Sequence, residues 1–563
     1  MTTHRLSLRG LRRQPLTRLA SATLLVCASS SHALSFSNEL VSGNFDSNIS
    51  VGFGMRTLSP SPALILSGNT GGPAGIAAPV ASGLGDQGTL NYGKGDPFTT
   101  YLKGSHELLM QLPGDVRFLG RVNWIRDYSA TRTTGWLSSG SLNPEVQRDG
   151  LSDAARDDLR FKARVLDLWV SKSFAIGDQQ ARLRVGNQVI NWGESVITPG
   201  GINATNPVDA MRLSQPGTQL KEGILPTPTI SLAGGLADGL NAEVYLQTRW
   251  RSTYLPPTGS YWSVVNGLGK GAAAYGLSEG KARNSGQWGA ALRWKPKDTS
   301  LDLGAYVVHY HDKSPQLRID QTTFAASLEY PEDRRLIGLS ANLPVGDWAV
   351  GTELSYRSKD AVFLNTNTSA CASQGGNCWV DARKLQWHLT GLLQLSPANA
   401  GGLMRALGAS NGTILTELVV IHYPGLKKAY GPDVIAAGGW GWGNAQGPVY
   451  DPVAAAINTV AVGTKTSSGL NADLSLTYDG SLLPGWQVTP GIFISRALSG
   501  RTPNIQGTWM KGATTANLYL NFTKNPSTWQ FGLNYSMFRG GSSVFDQVLR
   551  DRDFVGGYAT FNF

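Results

Sequence analysis

Few residues in this chain sit at spacings that do covalent chemistry. Its seven His are scattered as His4, His32, His106, His309, His311, His388 and His422. His309 and His311 lie two apart, so on a strand both rings take one face. They could supply half of a metal site, and a wet or interfacial pair fits the same spacing. No G-x-S-x-G elbow, H-E-x-x-H helix or phosphate loop occurs. No catalytic residue, metal or cofactor is therefore assigned. The placement of arginine carries more information. Arg160, Lys162 and Arg164 alternate with Phe161, Ala163 and Val165. Arg182 and Arg184 share a face with Gln188, Arg117 and Arg121 alternate with Val116, Phe118 and Val122, and Arg249 and Arg251 flank Trp250. On neighbouring strands these residues form a basic wall, with Glu194, Glu222 and Glu243 as the nearby acids. One reading is a ladder of ion pairs that braces the fold. The other is a surface that guides a carboxylate or another anionic amphiphile.

The most distinctive segment is 186–228, "GNQVINWGESVITPGGINATNPVDAMRLSQPGTQLKEGILPTP". A strand runs to Asn191-Trp192-Gly193-Glu194, a stretch rich in Pro, Gly and Asn follows, and a strand returns from Glu222. Trp192, Glu194, Asn203, Asn206 and Asp209 are its candidate constriction residues. The segment fits a constriction folded inside a barrel and a well-packed external loop equally.

These residues must be positioned by strands. Val116, Phe118, Gly120, Val122 and Trp124 alternate with Arg117, Arg121 and Asn123. The same period of two runs through Val244, Leu246, Trp250 and Tyr254, through Trp348, Val350, Leu354 and Tyr356, and through Leu385, Trp387, Leu389, Leu393 and Leu395. In the stretch after Val165 the apolar face switches to Leu166, Leu168 and Val170, which places a bulge near Asp167. A soluble sandwich alternates in the same way. Segments of ~10–14 residues, however, suit a tilted strand crossing a bilayer, whereas soluble strands average ~5–6.

Turn chemistry alternates too. Short turns are expected at 113–115, 176–179, 237–239, 296–299, 345–347, 483–485 and 525–527. Long loops are expected near 58–98, 130–158, 194–222, 255–285, 313–333, 361–379, 424–465, 498–508 and 541–551. Ser396-Pro397 predicts an N-cap and first helical residue, opening a short helix through Leu407 on the short-turn side. The composition agrees, with 68 Gly in 563 residues, 16% charged residues and 9% aromatic residues. The expected fold is all-β: a single transmembrane outer-membrane β-barrel of about 18 antiparallel strands over residues 34–563, with long extracellular loops. Its strands run from 38–56 to 554–563, and both termini fall on the periplasmic, short-turn side.

Residues 1–33 read as a signal peptide: five Arg, an apolar core at 19–28, and Ser31-His32-Ala33 as the cleavage site. Cys27 is expected to leave with it. The remainder holds 44 basic and 39 acidic residues, a net charge of +5. This weak excess, with no recognition motif, implies no nucleic acid partner. Cys371 and Cys378 sit among Ser, Asn, Gln and Gly and are expected to pair as a disulfide closing an external loop. Phe561 and the terminal Phe563 share a face of the last strand, in the pattern of a barrel assembly signal.

"GNQVINWGES", "PGGINATNPVDAMRL", "LKEGILPTP", "EYPEDRRLIGLSAN" and the ending "LRDRDFV…FNF" resemble the proteobacterial family filed as domain of unknown function 1302. The resemblance covers essentially the whole mature chain. It implies an outer-membrane-directed, β-rich protein of a Gram-negative bacterium that accompanies systems handling hydrophobic compounds or lipids. The partners this setting implies are an inner-membrane resistance-nodulation-division transporter and a periplasmic lipid carrier; the barrel reading and the terminal Phe add outer-membrane lipids, the barrel assembly machinery and a hydrophobic small molecule. The apolar, glycine-rich stretch 58–90 departs from the family pattern in length and could be a local lid or plug. The functional expectation is passage, by uptake or export, of a hydrophobic or amphipathic compound. An outer-membrane enzyme acting on lipids or esters and a structural barrel are the alternatives.

Overall fold

The computed structural model describes residues 34–61, 86–133, 150–364, 371–437, 449–451, 456–458, 462–524, 526–542 and 546–563. Residues 1–33, expected to be a signal peptide, most of the 58–90 stretch and residue 525 of one turn fall outside these residues. Among the described residues no helix is long and apolar enough to cross a membrane.

Eighteen antiparallel strands close into a barrel. In chain order they are β1 (Ser42–Arg56), β2 (Pro97–Leu112), β3 (Val116–Asp127), β4 (Phe161–Ile176), β5 (Gln179–Gln188) and β6 (Thr227–Ala237). Then come β7 (Leu240–Gln247), β8 (Gln287–Trp294), β9 (Asp302–Tyr310), β10 (Arg334–Val345), β11 (Trp348–Phe363) and β12 (Trp379–Leu395). The last are β13 (Asn411–His422), β14 (Thr466–Asp479), β15 (Trp486–Ser499), β16 (Ala513–Lys524), β17 (Trp529–Gly540) and β18 (Phe554–Asn562). Each strand pairs with its sequence neighbours, and β18 pairs with β1 from Asn48↔Asn562 to Arg56↔Phe554. A closed sheet leaves no edge to satisfy, which is what a strand structure in lipid requires. A short leading strand, Leu34–Ser37, adds to β1 below the end of β18.

The alternation has the orientation of a membrane barrel. Val51 and Phe53 on β1, Leu168 and Val170 on β4, Val244 and Leu246 on β7, and Leu518 on β16 are exposed on the outer face. Between them, Ser50, Lys103, Asn123, Glu353, Gln386, His388 and Glu417 are buried on the inner face. A soluble sandwich would bury the first set and expose the second. Among the described residues the short turns, the leading strand at Leu34 and the terminal Phe563 lie at one end, the periplasmic end, and the long connections lie at the other. The predicted helix forms at Pro397–Leu407, with Ser396 as N-cap and Pro397 in the first turn. It buries Met404 against Leu395 and Ala409.

The register shifts between Gly120 and Val122 where β3 meets β4, so the predicted bulge is present. One detail differs. Leu166 does not join the outer face with Leu168 and Val170; it is buried, and the outer face resumes only after Asp167 turns toward Arg121.

The external loops pack into a cap. The Cys371–Cys378 disulfide, with Cα atoms 5.0 Å apart, sits in an apolar cluster with Val265, Leu317, Leu328, Phe363 and Ile505. Nearby, Phe98 stacks on Tyr261 with ring centres 3.7 Å apart. Arg56 pairs with Asp551 at 2.9 Å, and Arg552 pairs with Asp86, all four buried.

Candidate functional site

The connection from β5 to β6, residues 189–226, crosses the interior of the barrel. Its first limb reaches the opposite wall and is held there by two buried carboxylates. Glu353 of β11 accepts N–H bonds from Glu194 (2.6 Å), Ser195 (3.1 Å) and Ile202 (2.9 Å). Glu417 of β13 accepts from Val196 (2.9 Å), Ile197 (3.3 Å) and Thr198 (2.7 Å). Asn471 of β14 adds a bond to Glu417 at 3.0 Å. His388 lies beside both acids. The Gln386 amide lies 2.8 Å from its Nε2, and its Nδ1 lies 3.2 Å from Glu417. With the Gln386 N–H donating to Nε2, the Nδ1–H is left to donate to Glu417. Backbone donors on a carboxylate form charge-assisted bonds, stronger than neutral ones.

Close approach explains the glycines of this limb. A Cβ on Gly201 or Gly193 would run into the Glu353 carboxylate, and Gly193 and Gly200 also have φ of +88° and +93°. The limb is anchored on its other side by Trp192. Its indole N–H donates to Glu243 of β7 at 2.8 Å, and its ring lies 5.0 Å from Tyr245. Glu194 accepts from Asn342 of β10 at 2.9 Å. Asn203 and Asn206 stay within the segment: Asn203 bonds Asn191 at 3.0 Å, and Asn206 clips both backbone groups of Ile190.

The return limb crosses to another part of the wall. Asp209 caps the helical turn Ala210–Ser214 through Arg212 N–H at 2.7 Å and pairs with Arg164 of β4. Lys103 of β2 pairs with Glu222 at 2.7 Å and also reaches the Gly217 carbonyl at 2.7 Å. The segment thus ties β2, β4, β7, β10, β11, β13 and β14 together from the inside.

The sequence profile of the family described as protein of unknown function (DUF1302) matches residues 14–563. The chain belongs to that family. Several solved structures resemble this DUF1302 barrel. OccAB1 of Acinetobacter baumannii has 11% identity and a TM-score of 0.43, over 95% of this chain and 98% of that one. The outer membrane protein opdK of Pseudomonas aeruginosa has 11% identity and a TM-score of 0.40, over 92% and 98%. A BenF-like porin from Pseudomonas fluorescens has 11% identity and a TM-score of 0.39, over 92% and 98%. No curated protein matches the chain.

The basic wall of the DUF1302 barrel is only partly assembled as the spacing predicts. Arg121 is held between Glu107 and Asp167, both at 2.7 Å. Arg164 is taken by Asp209. Arg184 lies over the Trp169 ring at 4.4 Å. Arg117 and Arg182 face inward with no ion pair among the described residues. Three positions differ. Arg160 is the last residue of the helix Asp153–Arg160 and pairs weakly with Asp157 at 3.6 Å, because the strand begins only at Phe161. Arg249 and Arg251 lie past Gln247, where β7 ends. Arg249 is exposed in the external connection, and Arg251 donates to the Pro226 carbonyl at 3.1 Å. Alternation continued in the sequence beyond the ladder that enforces it.

The His pair is internally satisfied. His309 bonds the Gly286 carbonyl and His311 the Ser285 carbonyl at 2.8 Å, and no metal-binding group of His, Cys, Asp and Glu occurs among the described residues. Glu353, Glu417, Gln386 and His388 were not singled out from the sequence as a site. Glu353, His388 and Glu417 did carry a signal: they are ionisable residues at mid-strand, inward-facing positions, where a charge needs a partner.

Proposed function

We propose that the protein passes a hydrophobic or amphipathic small molecule through the outer membrane, with the lumen segment as its constriction. The observation that supports this reading is the clamp on residues 194–202. Two buried carboxylates and a buried His hold a glycine-bearing limb against the inner wall. Packing a closed wall does not need such a clamp, whereas narrowing a lumen does. The hydrophobic character of the cargo follows from the family setting, as do an inner-membrane transporter and a periplasmic lipid carrier as partners. The direction of passage is left open.

For the enzyme alternative, one serine hydroxyl among the described residues meets an imidazole, Ser47 Oγ at 3.0 Å from His106 Nδ1. The Trp124 indole N–H donates to Nε2 of the same ring at 3.1 Å. A neutral imidazole then carries its proton on Nδ1 and donates to Ser47, so it is not the base a serine nucleophile needs.

Deleting residues 200–206 tests the reading. It should raise the susceptibility of expressing cells to small hydrophilic antibiotics that the intact protein excludes. A folded deletion variant with unchanged susceptibility and unchanged solute flux in proteoliposomes would refute the constriction.

A further inference from the structure

At the periplasmic ends of β5–β9 the inner wall leaves a recess of about 500 Å³. Small-molecule sites typically span ~300–1,000 Å³. Its floor is made of small residues, Ala181, Ala233 and Gly234 among them, and its cations are Arg182, Arg293 and Lys295. Its acids are Glu243 and Asp302, and Glu243 already accepts the Trp192 indole N–H at 2.8 Å.

The bonding state of the cations sets this recess apart. Elsewhere on the wall Lys103 and Arg121 each hold a carboxylate at 2.7 Å. Arg182 and Lys295 hold none among the described residues, and Arg293 donates to the Asn191 carbonyl at 3.4 Å and lies within electrostatic reach of the Glu194 carboxylate without an ion-pair contact to it. Two guanidinium groups and an ammonium thus face an open recess with most of their donors unused. A guanidinium can take a carboxylate or phosphate through two parallel bonds. The small floor residues leave room beside these groups for an apolar chain.

We propose that this recess is a periplasm-facing binding site for the anionic headgroup of a single-chain amphiphile. The proposal rests on the passage reading and places one end of the path. It also ties the ligand to the constriction. Arg293 and Glu243 contact Asn191 and Trp192, the residues from which the first limb sets out across the lumen. A headgroup that engages Arg293 competes with that contact.

The test uses the full mature chain in lipid nanodiscs, with octanoate, octyl phosphate and 1-octanol titrated by calorimetry. Octanoate should bind at least about tenfold more tightly than 1-octanol. Arg182→Gln with Arg293→Gln should weaken octanoate by at least about tenfold and leave 1-octanol unchanged. Arg182→Lys with Arg293→Lys should retain part of the difference. Tighter binding of octyl phosphate, lost in the same Gln variant, supports the site and assigns it a phosphate headgroup. Equal binding of octanoate and 1-octanol overturns the proposal, as does undiminished octanoate binding in the Gln variant. Should that variant not fold, Arg293→Gln and Lys295→Gln singly carry the same test. Flux of a neutral solute, measured on the same preparations in proteoliposomes, reports on passage separately. Selective octanoate binding without flux would retain the site and remove the passage reading.

Discussion

Removing the Glu417 side chain should release the first limb of the lumen segment. In Glu417→Ala the N–H groups of Val196, Ile197 and Thr198 lose their acceptor. An unsatisfied buried donor costs ~1–3 kcal/mol, and water already in the lumen offsets part of this. Taking ~1 kcal/mol per donor gives about 3 kcal/mol for the three, a shift of more than about a hundredfold toward the released state. Glu353→Ala orphans three more, on Glu194, Ser195 and Ile202, so the double variant should lose roughly twice as much. Glu417→Gln is the finer probe. Oε1 accepts from Val196 and Ile197 while Oε2 accepts from Thr198 and Asn471, so an amide nitrogen on either side faces donors with a donor. Gly201→Val should reach the same end from the other side, because a Cβ there meets the Glu353 carboxylate. Single-channel recording in planar bilayers reads the effect as a larger or flickering conductance. Maleimide labelling of Ser195→Cys reads it as increased access. A folded Glu353→Ala, Glu417→Ala double variant with wild-type conductance and wild-type labelling would show that the carboxylates do not hold the limb.

Three further outcomes follow from other parts of the molecule. Cys371→Ser with Cys378→Ser should destabilise the external cap by about 2–3 kcal/mol, read as faster proteolysis of that cap; two alkylatable thiols in the native protein would reject the bridge. Deleting Phe563 should impair assembly, because its N–H and C=O pair with Ser47 at 2.8 and 2.7 Å and close the β1–β18 seam; normal yield of the heat-modifiable form would count against this. Burial pushes the external Lys313 ammonium down to about 7, against a smaller opposing pull from Asp312. The folded state therefore binds fewer protons than the unfolded state between about pH 7 and 10.5, and the stability of this loop rises with pH across that window. From pH 7 to 9 the gain should approach about 2 kcal/mol by hydrogen exchange, and Lys313→Met should abolish the dependence.

The barrel was legible because its determinants are local. Period-two alternation fixes which face meets lipid, and turn residues such as Pro113-Gly114-Asp115 fix where a strand reverses. The Ser396-Pro397 helix start and the Cys371–Cys378 pair are equally local, and both stand in the structure. Errors arose where a local pattern outran its support. Arg249 and Arg251 keep the alternation of β7, but the ladder to β8 ends at Gln247, so nothing holds them to a face. Arg160 keeps the alternation of β4, but Ser152 caps a helix that ends on it. The clamp was illegible for the opposite reason. Glu353 and Glu417 meet residues more than 150 positions earlier, and no spacing within one strand announces such a partner.

The structure divides the basic wall into two populations, and this decides how its two readings apply. Arg121, Arg164 and Lys103 each face a carboxylate on a neighbouring strand or on the lumen segment. Their charge is spent inside the protein: removing one would leave an acid unpaired and should lower folding yield before it altered passage. The bracing reading belongs to them. Arg182, Arg293 and Lys295 face a recess at the periplasmic end with no carboxylate in ion-pair contact among the described residues. A charge left in water contributes little to stability, so its replacement by Gln should leave folding nearly intact. This second population has bonding capacity to offer a ligand, so there a substitution can separate recognition from folding. The guiding reading therefore narrows from a wall of arginines to one recess, next to the residues where the constriction begins.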